Sequence, residues 1–341
     1  MINQVYRLVA PRRFEVAYQE RSLPTDGVVV RPTHLSICAA DQRYYTGTRG
    51  REVLAKKLPM ALIHEGIGVV AYDRSGSLPV GTRVVMVPNL PTERDDVIAE
   101  NYLRSSKFRS SGFDGFMQDY VFLPRDRVVQ LPASMNAYVV AFLELISVSM
   151  HSIQRFAAKA HARRNVFGVW GDGNLGYISS LLLKRLYPAS KVLLFGKTEE
   201  KLGRFSFVDE AYQVDRVPST VSIDHAFECA GGIGSQSAIN QIIDVINPEG
   251  YISILGVSEY PVEINTRMIL EKGLTVVGSS RSGLKDFVTS VSFLEQHPDV
   301  VEYLQTLVGG VSEIRTMGDI PGAFELDLTS GWGKTIMEWN I

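Results

Sequence analysis

Cysteine is scarce: Cys38 and Cys229 are the only two in 341 residues. They fall in different halves of the pattern traced below, so a disulfide framework is not expected and each needs its own explanation. Long apolar runs are absent too. Val139–Ile146 is among the longest, Glu144 interrupts it, and a bilayer span needs roughly 20 residues. Charge of one sign is also lacking, with 35 Lys and Arg against 37 Asp and Glu, a net charge of −2. That excludes the basic stripe with which nucleic acid or an anionic membrane is bound, and leaves a small molecule as the expected partner. The N-terminal stretch carries Arg7, Arg12 and Arg13 among strand-like residues where a secretory leader would carry an apolar core, so a cytoplasmic location is expected. There are no internal repeats and no low-complexity stretches.

What is present is an ordinary globular composition, 45% hydrophobic and 21% charged, in a chain longer than the ~250–300 residues at which a single core stops growing. Two domains are expected. From Val5 to about Pro132, short β-rich segments (Gly27–Pro32, Gly66–Tyr72, Arg83–Val87, Gln118–Leu123) alternate with Pro/Gly turns, a mostly antiparallel, barrel-like pattern. Tyr138–Ala158 then has helical periodicity. After it, strands expected at Asn165–Trp170, Lys191–Phe195, Ala211–Val214, His225–Glu228, Gly250–Leu255 and Leu274–Gly278 alternate with helices, which is the signature of a doubly wound parallel sheet. A helix at Lys285–Glu295 and a strand-like Lys334–Trp339 follow, and this tail is able to return to the first domain.

The run from Val166 to Trp170 leads into Gly171-Asp-Gly173-Asn174-Leu175-Gly176 and then an apolar helix. A strand, G-x-G-x-x-G and a helix together form a dinucleotide fingerprint: Gly171 for the tight turn, Gly173 for approach to the pyrophosphate, Gly176 for close packing, with Asn174 and Leu175 completing the turn. The second strand ends in Gly196-Lys197-Thr198, where an NAD enzyme carries an acid for the ribose hydroxyls. No acid stands there. Gly196 leaves room for a 2′-phosphate and Lys197 and Thr198 offer donors to it, so NADPH is favoured over NADH.

In the first domain Cys38 and Asp41 follow one strand, and His64 and Glu65 open another. Zn²⁺ accepts thiolate, imidazole and carboxylate, and a catalytic site leaves one position open for substrate oxygen. The spacing alone does not establish a site, because buried cysteine is often an inert small hydrophobe.

C-A-A-D at Cys38–Asp41, I-H-E-G-I-G at Ile63–Gly68, D-G-F-M-Q-D-Y at Asp114–Tyr120, L-E-L-I-S-V around Glu144 and the glycine loop together resemble the zinc-containing medium-chain dehydrogenases, over nearly the whole chain. The E-x-x-S-V form is most similar to the sorbitol dehydrogenase branch. Longer runs, Leu35–Gly47, Phe108–Tyr120, Trp170–Tyr177 and Gly278–Gly283, look like the ribulose-5-phosphate reductases. The resemblance implies a GroES-like barrel domain (1–145 and 280–341) around a Rossmann domain (146–279), and one catalytic zinc held among Cys38, His64, Glu65 and Glu144, not necessarily all at once. It further implies NADPH-dependent reduction of ribulose 5-phosphate to ribitol 5-phosphate, a homodimer, and a link to a cytidylyltransferase making CDP-ribitol for teichoic acids or capsules. The alternatives are another polyol or alcohol dehydrogenase of the sorbitol type, or a non-catalytic NADP-binding protein on the same scaffold.

Two departures qualify the resemblance. The family's structural zinc needs four cysteines in a stretch, Val87–Gly112, that here has none; no second metal is expected. The Ser or Thr that usually follows the metal cysteine by two residues is Ala40, which leaves the proton route open among Asp41, a metal-bound water, Glu144 and a substrate hydroxyl. For the substrate's phosphate, Arg43 and Arg281 are the first candidates, with Arg49, Lys56, Lys57, Arg109 and Lys285 also available.

Overall fold

The computed structural model describes all residues from Met1 to Ile341. The chain divides into two compact units, Met1–Ser147 with Ser282–Ile341, and Val148–Arg281. The hydroxyls of Ser147 and Ser282, where the chain leaves and re-enters the first unit, lie 2.7 Å apart. No helix is long and apolar enough to cross a membrane.

The first unit is built on a seven-stranded sheet whose main path runs Val128–Gln130, Arg83–Met86, Glu65–Asp73, Val28–Ser36, Lys334–Trp339, Val308–Ile314, with Val121–Leu123 also pairing to Val28–Ser36. The tail does return: Lys334–Trp339 runs antiparallel to Val28–Ser36, with Ile336 opposite Ser36. A smaller sheet joins Arg13–Glu20, Ile2–Ala10 and Met60–Ala61. Their inward faces supply one core, from Val5, Leu8, Val28, Val30, Leu35, Met86 and Phe116 to Phe324 and Trp339 near the other end of the chain. Burying each such side chain contributes about 1.5–3 kcal/mol.

The second unit is a six-stranded, wholly parallel sheet in the order Glu210–Gln213, Lys191–Gly196, Val166–Trp170, Ile223–Glu228, Ile246–Ile254, Thr275–Gly278. In chain order that is 3-2-1-4-5-6, the doubly wound arrangement. Helices cover a parallel sheet on both faces, so its central strands are buried throughout: every residue of Ile223–Glu228 is buried. The polar ones among them are bonded. Glu228 accepts from the N–H groups of Ala230, Gly231 and Gly256 and from Ser235 Oγ, which fixes the loop after its strand.

The single helix expected over Tyr138–Ala158 is two, Ala137–Val140 and Leu143–Lys159. Phe142 N bonds Val139 O and Leu145 N bonds Phe142 O, three-residue turns that interrupt the four-residue ladder and make Glu144 part of a new helix's first turn. The strand Val308–Ile314 was not anticipated, because V-G-G-V interrupts any apolar alternation with two glycines.

Candidate functional site

Val28–Ser36 delivers the chain to Cys38, which caps the short helix Ala39–Tyr45, and Cys38 N donates to Asp41 Oδ2 at 3.2 Å. The second approach is strained: Ile63, a β-branched residue, sits at φ 70° immediately before His64, a conformation that costs free energy and persists where surrounding bonds hold it. They do so here. Ile63 N donates to Asp41 Oδ1 at 3.0 Å, and Phe116 N donates to the Ile63 carbonyl at 2.8 Å. The turn brings His64 and Glu65 to Cys38, so that one ligand atom from each lies within 4.8 Å of the others.

The surroundings of this cluster are polar and buried. Asp41, fully buried, also accepts from Ser110 Oγ at 2.6 Å, and its Oδ2 is 3.7 Å from His64 Nδ1. Burial disfavours both charges, yet their mutual attraction wins: Asp41 is held below the usual carboxylate range, and His64, with Cys38 adding, well above the usual imidazole value. Glu65 Oε1 accepts from Lys334 Nζ at 2.9 Å in a pair with at most 3% exposure, while Glu65 Oε2 is buried with no hydrogen-bond partner. An unpaired buried carboxylate oxygen costs free energy that a ligated cation would recover. Thiol, imidazole and orphaned carboxylate oxygen are a donor set suited to zinc; Asp41, 3.7 Å from His64 Nδ1, is an electrostatic neighbour of the ring and not its hydrogen-bond partner.

Glu144 lies outside the tight cluster of three but within its field. Burial pushes its carboxyl up to about 7, with Glu65 and Asp41 adding and His64 and Lys334 opposing. Zinc-free protein should therefore lose stability as the pH rises from about 4.5 to about 7: the folded chain holds a proton that the unfolded chain has released, an advantage complete below this window and gone above it. The Glu144→Gln variant should flatten the melting-temperature profile there. A slope unchanged by the substitution would show that burial does not hold that proton.

The stretch Val87–Gly112 is fastened without cysteine. Glu100 takes the guanidinium of Arg127, 3% exposed, at 2.8 and 3.2 Å, and the N–H of Leu284 at 2.8 Å. One grouping of three or more metal-ligating side chains is assembled in the chain, so elemental analysis of purified protein should give one zinc per chain. Two tightly held zincs would refute this.

In the second unit Val166–Trp170 ends at Gly171 with φ 131°, open to glycine alone, and the helix Asn174–Leu186 begins after Gly173. A Cβ on Gly176 would overlap the Gly171 carbonyl oxygen, so its absence is what seats the helix. A cavity of about 510 Å³ opens at this loop, lined by Gly171, Gly173, Gly196, Lys197 and the Gly231–Gly234 turn among others. Asn174, Leu175, Gly176 and Thr198 are outside its lining. Trp170 stacks on Phe195 with ring centroids 3.8 Å apart and bonds Gln241 through Nε1 at 2.7 Å, which sets the floor.

One expectation about this loop is corrected. The place of the missing Gly196 Cβ is not itself the room, because Asp172 and Leu202 fill it, with atoms 2.6 and 2.8 Å from where it would lie, while Gly196 lines the cavity. Asp172 Oδ2 instead accepts from the N–H groups of Lys197 and Thr198, both at 2.8 Å. The acid missing from the second strand is thus supplied by the glycine loop and spent on holding Lys197 in place. Cys229 is buried beside this cavity with its thiol raised above the ordinary range by burial, a packing position.

Of the proposed phosphate cations, Arg43 and Arg281 belong to different units. Arg109 donates to the carbonyls of Asp114 and Phe122, and Lys56 and Lys285 are exposed. Sequence reasoning missed Lys334, Ser110 and Asp172. None belongs to a local motif with the residue it serves, since 269 positions separate Lys334 from Glu65 and 69 separate Ser110 from Asp41.

A GroES-like barrel carrying a thiol–imidazole–carboxylate cluster, and a doubly wound sheet carrying a dinucleotide loop, define a dehydrogenase of the medium-chain class. Residues 24–133 match the alcohol dehydrogenase GroES-like domain. The chain is 64% identical over 341 residues to the ribulose-5-phosphate reductase of Bacillus spizizenii and 59% identical over 339 residues to ribulose-5-phosphate reductase 1 of Staphylococcus aureus, covering at least 99% of every chain concerned. Among solved structures, S. aureus TarJ in complex with NADPH shares 52% identity over the full length of both chains with a TM-score of 0.90. The chain belongs to the ribulose-5-phosphate reductase family.

Proposed function

We propose that this protein reduces D-ribulose 5-phosphate to D-ribitol 5-phosphate with NADPH, as a zinc-dependent oxidoreductase acting on CH–OH groups. The observation that carries the reading is the convergence of Cys38, His64 and Glu65 within 4.8 Å, in a chain 64% identical to a ribulose-5-phosphate reductase. When bound, zinc supplies a Lewis acid for the ketone oxygen and NADPH supplies the hydride. Cys38, His64 and Glu65 would hold the metal. Asp41 places a negative charge 3.7 Å from His64 Nδ1, and Lys334 occupies Glu65 Oε1 so that Oε2 is the oxygen presented. The product alcohol needs a proton at its oxygen. Asp41 does not supply it, being held ionised against burial by its attraction to His64, with Ser110 and the Ile63 N–H adding, whereas Glu144, pushed up to about 7, holds one near neutrality. Glu144 is therefore assigned to the proton.

Gly171 and Gly173 would admit the pyrophosphate to the start of the helix Asn174–Leu186, and Lys197 would meet the 2′-phosphate. Free Cys38 and Cys229 agree with a reducing, cytoplasmic setting. A homodimer is supported by the strand Thr275–Gly278 at the sheet's edge and the exposed Tyr260 and Leu270 of the same unit. Family membership supports a downstream cytidylyltransferase, which would activate the product as CDP-ribitol for teichoic acid or capsule polymers. Following NADPH oxidation across ketoses and ketose phosphates tests the reading; a preference for any substrate other than ribulose 5-phosphate would overturn it.

A further inference from the structure

We propose that the substrate's phosphate is held at a cationic corner built around Tyr44, by Arg49 and Lys57 with the hydroxyls of Tyr44 and Ser111; this rests on the ketose-phosphate reading above. Tyr44 lies in the last turn of the helix that Cys38 opens. It is 1% exposed, and its hydroxyl is buried without a hydrogen-bond partner, a state that costs roughly 1–3 kcal/mol unless a ligand satisfies it. Two cations flank the ring. Arg49 Cζ lies 4.5 Å from the ring centroid and Lys57 Nζ 5.8 Å from it, and both side chains belong to half-buried residues. The guanidinium brings a planar, permanently charged group of the kind that matches phosphate oxygens to that ring. The Lys57 ammonium bonds a hydroxyl, Ser111 Oγ at 2.9 Å, so its charge is not neutralised by that partner.

The corner is mechanically joined to the metal cluster. Ser110, the neighbour of Ser111, donates to Asp41, which stands behind His64. Six residues of helical rise separate Cys38 from Tyr44, roughly 9 Å along the axis. Five bonds separate the ketose carbonyl carbon from phosphorus, a reach that together with the metal's and the phosphate's own ligand distances covers that interval. A phosphate dianion offers acceptors for a guanidinium, an ammonium and two hydroxyls at once, which an unphosphorylated sugar end does not.

The test compares kcat/KM for ribulose 5-phosphate and for ribulose in the wild type and in Lys57→Met, Arg49→Gln and Tyr44→Phe. The ratio of the two should fall about 10- to 100-fold in each charge variant and about 3- to 10-fold in Tyr44→Phe, with Lys57→Arg restoring most of it. Zinc content and NADPH affinity, read by elemental analysis and fluorescence titration, establish that the variants are folded. Calorimetric titration with inorganic phosphate should show the same order of losses. An unchanged ratio in both charge variants overturns the assignment. If the wild type reduced no ketose phosphate, the functional reading would fall, and the phosphate titration would decide the corner separately: weaker binding in Lys57→Met supports it, and equal binding, or none in the wild type, overturns it.

Discussion

Replacing Cys38 by serine should abolish most turnover while leaving the fold in place. Serine is nearly isosteric, but its hydroxyl stays protonated where the thiol ionises, so a strong zinc donor becomes a weak one. His64 and Glu65 remain, yet two ligands do not hold a catalytic zinc tightly, and elemental analysis should show the metal falling well below one per chain. With the Lewis acid gone, kcat/KM for ribulose 5-phosphate should drop by at least ~10³-fold, on the order of 4 kcal/mol of lost transition-state stabilisation. Stability should change little, because Cys38 is an incompletely buried cap whose backbone N–H bonds Asp41, a contact that serine keeps. NADPH affinity should also hold, since the glycine loop and its cavity are built from Val148–Arg281 alone. Steady-state kinetics, metal analysis and a fluorescence titration read the three quantities separately. Full turnover by the Cys38→Ser protein in the presence of a chelator would sink the metal mechanism.

What the sequence made legible follows from how far apart the cooperating residues lie. The parallel sheet was readable because several of its strands, Val166–Trp170 and Lys191–Gly196 among them, are short apolar runs that alternate with helices, and the glycine loop because all its parts lie within six positions. Cys38, His64 and Glu65 were visible only as donor types and through resemblance, since antiparallel pairing of Val28–Ser36 with Glu65–Asp73, Ser36 opposite Glu65, is what brings them together. The residues that tune the cluster carried no local signal. Lys334 reaches Glu65 because the tail inserts as a sheet strand, and a lysine in K-T-I-M-E-W reads as a surface residue until that strand is placed. The strain at Ile63 is likewise invisible, because I-H-E-G gives no hint of a left-handed turn. Gly196 shows the opposite failure. The absence of an acid at the strand end was read correctly, but the place its side chain would take is not empty, because Asp172, 24 positions earlier, fills it.

That correction decides which substitution probes cofactor choice. Gly196→Asp would be uninformative, because its Cβ would collide with Asp172 before its carboxylate met any ribose. Lys197→Ala is the clean change. The Lys197 backbone is pinned by Asp172, so truncating the side chain leaves the loop where it is, and the side chain lines the cavity with Nζ next to Gly234. The 2′-phosphate of NADPH brings close to two negative charges, which NADH lacks. A hydrogen bond to a charged group contributes about 1.5–3 kcal/mol, so kcat/KM for NADPH should fall about 10- to 100-fold while that for NADH stays nearly constant. Lys197 is exposed, so the NADPH advantage of the wild type should also shrink as salt is raised, screening an ammonium that stands in water. Asp172→Ala should behave differently: releasing the N–H groups of Lys197 and Thr198 loosens the loop that both cofactors meet, and NADH and NADPH should weaken together. The measurement is kcat/KM for both cofactors in the wild type and the two variants, at low and high salt. A Lys197→Ala loss shared equally by NADH and NADPH, or equal efficiency of the two in the wild type, would show that this loop does not read the phosphate.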